Sequence, residues 1–435
     1  MILLIIIFGL LTILIGRWVF AQWFNHVSLY SGAWSLSLFL FELRLINYYP
    51  LEIETWFIIF GGWVSFIIGA ITVVVARKDL LTINQCQNPE VFLVPVEEEI
   101  KILKKILIIL NIISLLVVLQ HWYVVIKMFG SVKNVFIWAN ILRNLFVQGE
   151  ITGMVPYISS LSLTNCVFAG LYTMATGKLK LVVIISLLLV VLLDIAAMGR
   201  ARIILSMILF LSGYLLGKKR RTYEYVASIR KKIWKSVKIL LILFVFFLGI
   251  EIVRDFRAVT EYFPGETKSL QKLKGSAFIT PSIYVYLTVS NGVLNQYYKY
   301  QMQKKVFAGF TLGPFWRALS KIGFDTYVSP YPPFYYTPVP ANTSTYLGEL
   351  YSDFGVLGVF CIPYLIGLIS SLQWLRLNRT KSLVDVILLS HLFVIIIMSF
   401  TYMWTSGYWL FSIFFGLIIA YMLDKRIMIK KYKYL

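Results

Sequence analysis

The chain alternates between long apolar runs and short connections rich in lysine and arginine. Apolar blocks recur at roughly 1–16, 28–46, 56–76, 105–126, 155–175, 181–194, 203–217, 236–253, 353–373, 385–404 and 406–423. A bilayer core of about 30 Å is crossed by a helix of about 20 apolar residues. Lipid offers no partner to an unpaired backbone group, so helices are the natural way to cross it. The pattern predicts an all-α polytopic integral membrane protein with about 11 transmembrane helices, within a range of about 10 to 12. The blocks at 181–194 and 203–217 are short and predict a helical hairpin with a tight outer turn. One interval breaks the rhythm. Residues 254–350 form a single large extracytoplasmic loop between the eighth and ninth transmembrane helices. Uninterrupted loops of that length are usually functional. No internal repeat or low-complexity linker divides the rest, so 1–435 reads as one membrane domain with one insertion.

Two stretches sit between these classes. From Met128 to Phe146, apolar residues at Met128, Val132, Val135, Ala139, Leu142 and Phe146 alternate with Lys133, Asn140, Arg143 and Asn144. That period predicts a helix lying on the outer surface. From Ala277 to Leu294 the chain is apolar enough to suggest a further span, but Pro281, Asn291, Gly292 and several hydroxyls assign it to the loop.

Composition agrees with a membrane chain. Hydrophobic residues are 59% and charged residues 14%, and mean hydropathy is +0.79. Soluble domains have about a quarter of their residues charged. The net charge of +21 does not imply nucleic acid, because the basic residues fall in loops between spans. One alternating set of loops with its span edges holds 25 of them, the opposite set holds 6, and the long loop holds 10. By the positive-inside rule the first set is cytoplasmic. This places the long loop and the 194–202 turn outside, and Lys218–Lys238 firmly inside. Anionic lipid accounts for part of the remaining basic charge. No signal peptide is expected at the apolar start, and Cys86, Cys166 and Cys361 have no paired spacing that suggests a disulfide framework.

Four groups of residues are candidates for chemistry. Asp194-Ile-Ala-Ala-Met-Gly-Arg200-Ala-Arg202 places two arginines at the outer turn, where they either grip an anion or anchor the interface. Arg254 and Arg257 share a helical face where the eighth span emerges, with Glu251 and Asp255 beside them, and Arg317 is a further cation in the loop. Tyr331-Pro-Pro-Phe-Tyr335-Tyr336-Thr-Pro-Val-Pro340 offers aromatic faces for sugar rings or for the membrane interface. Glu349 and Asp353 lie four apart at the mouth of the ninth span, as candidate bases or as helix-start carboxylates. His121 is a further candidate base, whereas His391 falls in the cytoplasmic half of its span and His26 in a loop. Nothing has the spacing of a metal site, a Walker motif or a phosphate-cradling glycine loop.

The layout, the outer arginines and Asn342-Thr-Ser-Thr-Tyr346-Leu-Gly-Glu-Leu-Tyr-Ser-Asp-Phe-Gly355 together resemble bacterial O-antigen or oligosaccharide repeat-unit polymerases of the Wzy type. Where such polymerases and the related ligases often show Ser-Arg, this chain has Gly-Arg, which leaves open whether Arg200 or Arg202 corresponds. The resemblance implies repeat units carried on undecaprenyl diphosphate and joined at the outer face of the cytoplasmic membrane. The lipid diphosphate would be the leaving group, held by arginines, with Tyr331, Tyr335, Tyr336 and Tyr346 against the glycan. It implies neither metal nor cofactor, and a chain-length regulator as a possible partner beside the bilayer. An O-antigen ligase and a lipid-linked oligosaccharide flippase are the alternatives. A flippase is expected to show repeated halves and mid-membrane charges.

Overall fold

The computed structural model describes residues 1–76, 96–148, 150–151, 155, 157–220, 253, 255, 262–275, 280–300, 307–320, 322–324, 334–402 and 407–434. Among these the fold is helical apart from one two-stranded ribbon. Among the described residues six helices are long and apolar enough to cross a membrane: Ile2–Phe20, Ile53–Ala76, Glu97–Phe129, Ile158–Thr176, Ala201–Lys218 and Tyr346–Thr380. Leu181–Ala196 and Leu383–Met398 are shorter apolar helices. The expected span at 236–253 lies outside the described residues, Val253 excepted. The chain gathers into two compact units.

The first unit comprises Met1–Gln85, Thr260–Leu375 and Leu392–Ser406. Helices α1 (Ile2–Phe20) and α2 (His26–Glu42) form an antiparallel hairpin. Asn25 caps α2 by accepting the Ser28 N–H at 2.9 Å, which satisfies one of the orphan donors of a helix start. Leu3, Leu4, Leu10, Leu11 and Leu14 of α1 stay exposed, as a lipid-facing surface requires. Helix α3 (Ile53–Ala76) packs parallel to the long helix Tyr346–Thr380. A Cβ at Gly69 would overlap the Tyr364 carbonyl, so only glycine allows these backbones to approach. An aromatic core fills the space beside them. Tyr30 stacks on Phe66 with ring centroids 4.1 Å apart. Trp34 donates to Ser399 Oγ at 2.9 Å, and His26 Nε2 meets Ser371 Oγ at 2.7 Å.

Residues 281–300, assigned to the long insertion rather than to a further span, form a mostly buried helix. The features that read as loop are its contacts. Asn291 Nδ2 donates to Ser37 Oγ at 2.8 Å, and Ser37 Oγ donates to the Leu287 carbonyl at 2.7 Å. Tyr284 Oη donates to the Leu40 carbonyl at 2.9 Å. Asn295 Oδ1 accepts from Glu52 N and Thr55 Oγ1 at 2.9 and 2.8 Å. A Cβ at Gly292 would press on the Thr337 side chain at 3.1 Å. This helix is too polar to stand among the spanning helices above, and its polar face is satisfied by α2 and the segment that follows α2.

The ribbon of Tyr335–Tyr336 and Pro340–Ala341 is antiparallel, with Tyr335 opposite Ala341. It leads into Tyr346–Thr380, which is broken at Gly355, whose φ of 66° and ψ of −153° suit only glycine. The expected span over 353–373 thus begins past a separate two-turn helix.

The second unit comprises Cys86–Val259, Arg376–His391 and Gly407–Leu435. Helix α4 (Val96–Phe129) runs parallel to Leu181–Ala196. Asn111 Nδ2 donates to the Val182 carbonyl at 2.9 Å, and Trp122 Nε1 donates to the Leu192 carbonyl at 3.1 Å. Helices Leu161–Thr176 and Ala201–Arg220 are also parallel, with Gly170 and Gly213 set against Phe210 O and Val167 O. The expected surface helix over 128–146 is two helices, Val132–Ile137 and Ala139–Gln148, separated at Trp138. Their apolar face does not rest on lipid alone: Val135, Ala139 and Leu142 are buried with Val125 and Met198. The helices therefore cover the turn that carries Arg200.

Candidate functional site

The 194–202 turn is built around one carboxylate. Asp194, 3% exposed, ends its helix and reaches across the turn to accept the Ile203 N–H at 3.1 Å. It also accepts from Arg202 N, so it caps the helix that begins at Ala201. Gly199 is needed here, because a Cβ would come within 2.7 Å of Asp194 Oδ1. Met198, at φ 46°, turns the backbone and buries its side chain under the covering helices.

Two arginines act on this carboxylate, and a third, Arg200, lies in the same turn. Arg200 and Arg202 flank the first residue of the helix. Arg143, from Ala139–Gln148, acts electrostatically on Asp194, as does Arg202. The Arg202 guanidinium lies 4.1 Å from the centroid of the Tyr408 ring. Its Nη1 is buried with no hydrogen-bond partner among the described residues. Arg202 also acts on His121, which is 2% exposed. His121 Nδ1 lies 3.0 Å from the Val117 carbonyl. A carbonyl only accepts, so Nδ1 carries the proton and Nε2 presents its lone pair. The turn thus holds more guanidinium than carboxylate, and its one acid is engaged in capping. That arrangement suits an anion with several oxygens.

The other candidates belong to the first unit. Glu349 and Tyr335 line one cleft together with Val293, Tyr297, Phe310, Asn342, Ser344 and Gly348. Asp353 shares that helical face, but its oxygens are occupied. They accept from Phe310 N at 3.0 Å, Thr311 N at 2.7 Å and Thr311 Oγ1 at 2.8 Å. Asp353 therefore anchors the 307–312 turn, and Glu349 is the carboxylate that faces the cleft. Burial, then the neighbouring Tyr297, raise the Tyr335 phenol above its ordinary value, so it keeps its proton as a donor.

Among the glycan candidates, Tyr336 is 70% exposed and open to a ligand. Tyr346 is instead a core residue: it is 1% exposed, and its hydroxyl meets that of Tyr30 at 2.6 Å. Aromatic composition at a loop exit does not separate these two environments. Arg317 folds toward the start of its own short helix, where a Cβ on Gly313 would lie 3.1 Å from its Nη1. Arg254, Arg257 and Tyr331 lie outside the described residues.

Sequence reasoning passed over Arg143, Tyr408, Tyr297 and Ser344. Arg143 carried a signal, as a cation on the polar face of an amphipathic helix next to the turn. Tyr408 and Tyr297 had none, since each is one aromatic among many. Among the described residues no group of three or more His, Cys, Asp or Glu is placed to hold a metal ion. Cys166 and Cys361 are free. In comparisons with known proteins, no protein-family model, no curated protein and no solved structure matches the chain.

Proposed function

We propose that the chain is a polymerase joining undecaprenyl-diphosphate-linked oligosaccharide repeat units into O-antigen or capsule-type polysaccharide. On this reading it has about 11 transmembrane helices, resides in the bacterial cytoplasmic membrane and works at the outer face. The observation that carries the reading is Arg202: a guanidinium stacked on Tyr408, with a buried Nη1 that has no hydrogen-bond partner among the described residues. Arg200 and Arg143 add positive charge around a single carboxylate already engaged in capping. Preorganised cations of this kind stabilise charge as it develops on a leaving diphosphate.

The reaction is glycosyl transfer. A hydroxyl oxygen of the incoming unit attacks the anomeric carbon of the growing chain. The bond from that carbon to the diphosphate oxygen breaks, and undecaprenyl diphosphate departs with the electron pair. The hydroxyl proton passes to a base. His121 Nε2 offers a lone pair within the unit that holds the arginines.

The test is the surface-glycan length ladder of a strain lacking the gene, complemented with wild type or with Arg202→Ala. Collapse to one repeat on the lipid core, restored by wild type and not by the variant, supports the polymerase. Accumulated lipid-linked polymer would replace it with the ligase, and repeats trapped inside would replace it with a flippase.

A further inference from the structure

We propose that the cleft containing Glu349 is a carbohydrate subsite that grips one sugar hydroxyl through Tyr335 Oη and Ser344 Oγ. The inference deepens the polymerase reading, on which the choice of a glycan over other hydroxyl compounds rests.

The residues argue as follows. Tyr335 is 5% exposed and Ser344 8% exposed, and both line the cleft. The Oη of Tyr335 and the Oγ of Ser344 are buried with no hydrogen-bond partner among the described residues. Buried hydroxyls are nearly always bonded, so two orphans on residues that line the same small cleft call for a partner there. Ser344 Oγ is held directly over Gly348, where a Cβ would overlap it; the glycine keeps that space open. The cleft is open to its surroundings, and the space it holds has room only for a group about the size of a water molecule. A hydroxyl fits, and a phosphate or a whole ring does not.

The chemistry of the lining narrows the ligand. Among the described residues no lysine or arginine lines the cleft, whereas Glu349 does, so an anion is disfavoured. Tyr335 keeps its proton and donates, Ser344 both donates and accepts, and the amide of Asn342 does both. A neutral hydroxyl, itself both donor and acceptor, completes the set. Around the floor, Tyr297, Phe310 and Tyr335 provide aromatic surface. This suits the C–H faces of the sugar that carries the hydroxyl. The Tyr297 and Tyr335 rings meet edge-on at 5.8 Å, which fixes the phenol's position.

The test uses the full-length protein in nanodiscs and saturation-transfer NMR with glucose, galactose, rhamnose and N-acetylglucosamine. Each sugar that binds is then compared with its available monodeoxy analogues. Tyr335→Phe and Ser344→Ala each remove one oxygen and keep the surrounding packing. Each is expected to weaken sugar binding about two- to tenfold, while thermal stability holds or rises because a buried orphan is gone. One deoxy analogue should lose no further affinity in Tyr335→Phe, which identifies the gripped hydroxyl. Unchanged binding in both variants, or loss of stability with unchanged binding, overturns the subsite. A single resident water filling the floor, with no sugar response from the wild type, overturns it too. If binding depends on Tyr335 and Ser344 but the glycan ladder ignores the gene, the subsite stands and the polymerase reading fails.

Discussion

At the scale of single residues, Arg202 and Asp353 show how the same charge type serves different ends. Arg202 keeps a planar group against Tyr408, and lysine reproduces the charge without the stack or the fork. Arg202→Lys is therefore expected to reduce chain extension by about tenfold or more, consistent with loss of a bidentate, stacked contact. The ladder read from complemented cells checks this, and wild-type length from the lysine form would reduce Arg202 to simple charge. Asp353→Asn removes the charge from a carboxylate that holds three groups of the 307–312 turn. It should lower stability by about 1–3 kcal/mol, and Glu349→Gln, at a residue that lines the cleft, is expected to impair extension. Thermal unfolding of purified Asp353→Asn checks the anchor, and the glycan ladder checks Glu349→Gln. The i,i+4 spacing of these two acids was legible in the sequence, but the groups that Asp353 holds were not. The partners of Asp353 come from residues some forty positions away.

Helices and turns behave less like independent segments than their hydropathy suggests. Gly170 and Gly213 bring two parallel helices to backbone contact, so Gly213→Ala should cost about 1–3 kcal/mol through overpacking against Val167. A melting temperature in detergent equal to wild type would show that the helices can part without cost. The segment 262–275 is tied to the chain after α2 by Asn47 N to Gly265 O at 2.9 Å and Thr267 N to Leu45 O at 2.9 Å. Within it, Glu266 is shifted two ways. Burial raises its pKa, but the Lys274 ammonium at 2.9 Å, the Phe263 N–H and Gln271 together bring it below the ordinary value. A depressed carboxylate stabilises above its unfolded pKa and loses that contribution as pH falls through its folded value. Hydrogen-exchange protection over 262–275, corrected for the intrinsic rate, should therefore fall as pH drops through the carboxylate range, and Glu266→Gln should flatten the response. Apolar runs made the long helices readable, because burial in lipid and hydropathy are the same property. Residues 281–300 escaped that reading since their hydroxyls and amides face protein rather than water. The break at Gly355 escaped it because one glycine among many carries no mark of its φ.

For the molecule as a whole, the chain has the signature of a membrane-embedded helical protein, and its basic loops supply an orientation that packing alone does not. The helix directions described here agree with alternating passage: Ile53–Ala76 runs parallel to Tyr346–Thr380, and Val96–Phe129 runs parallel to Leu181–Ala196. Cysteine accessibility at Lys133 and Lys219, replaced singly and labelled from outside intact cells, tests the sidedness. Labelling at 133 and protection at 219 are expected, and the reverse pattern would invert the topology. The bonds between α2 and residues 281–300 carry one more consequence, for anyone who would exchange parts between such proteins. A surface insertion can ordinarily be swapped as a cassette, with the scaffold indifferent to what it carries. Here residues 281–300 share a polar seam with the chain before them, at Ser37, Leu40 and Thr55. A chimera that transplants residues 281–300 alone is expected to leave the polar groups of α2 mismatched, so the two helices are exchangeable only as a pair.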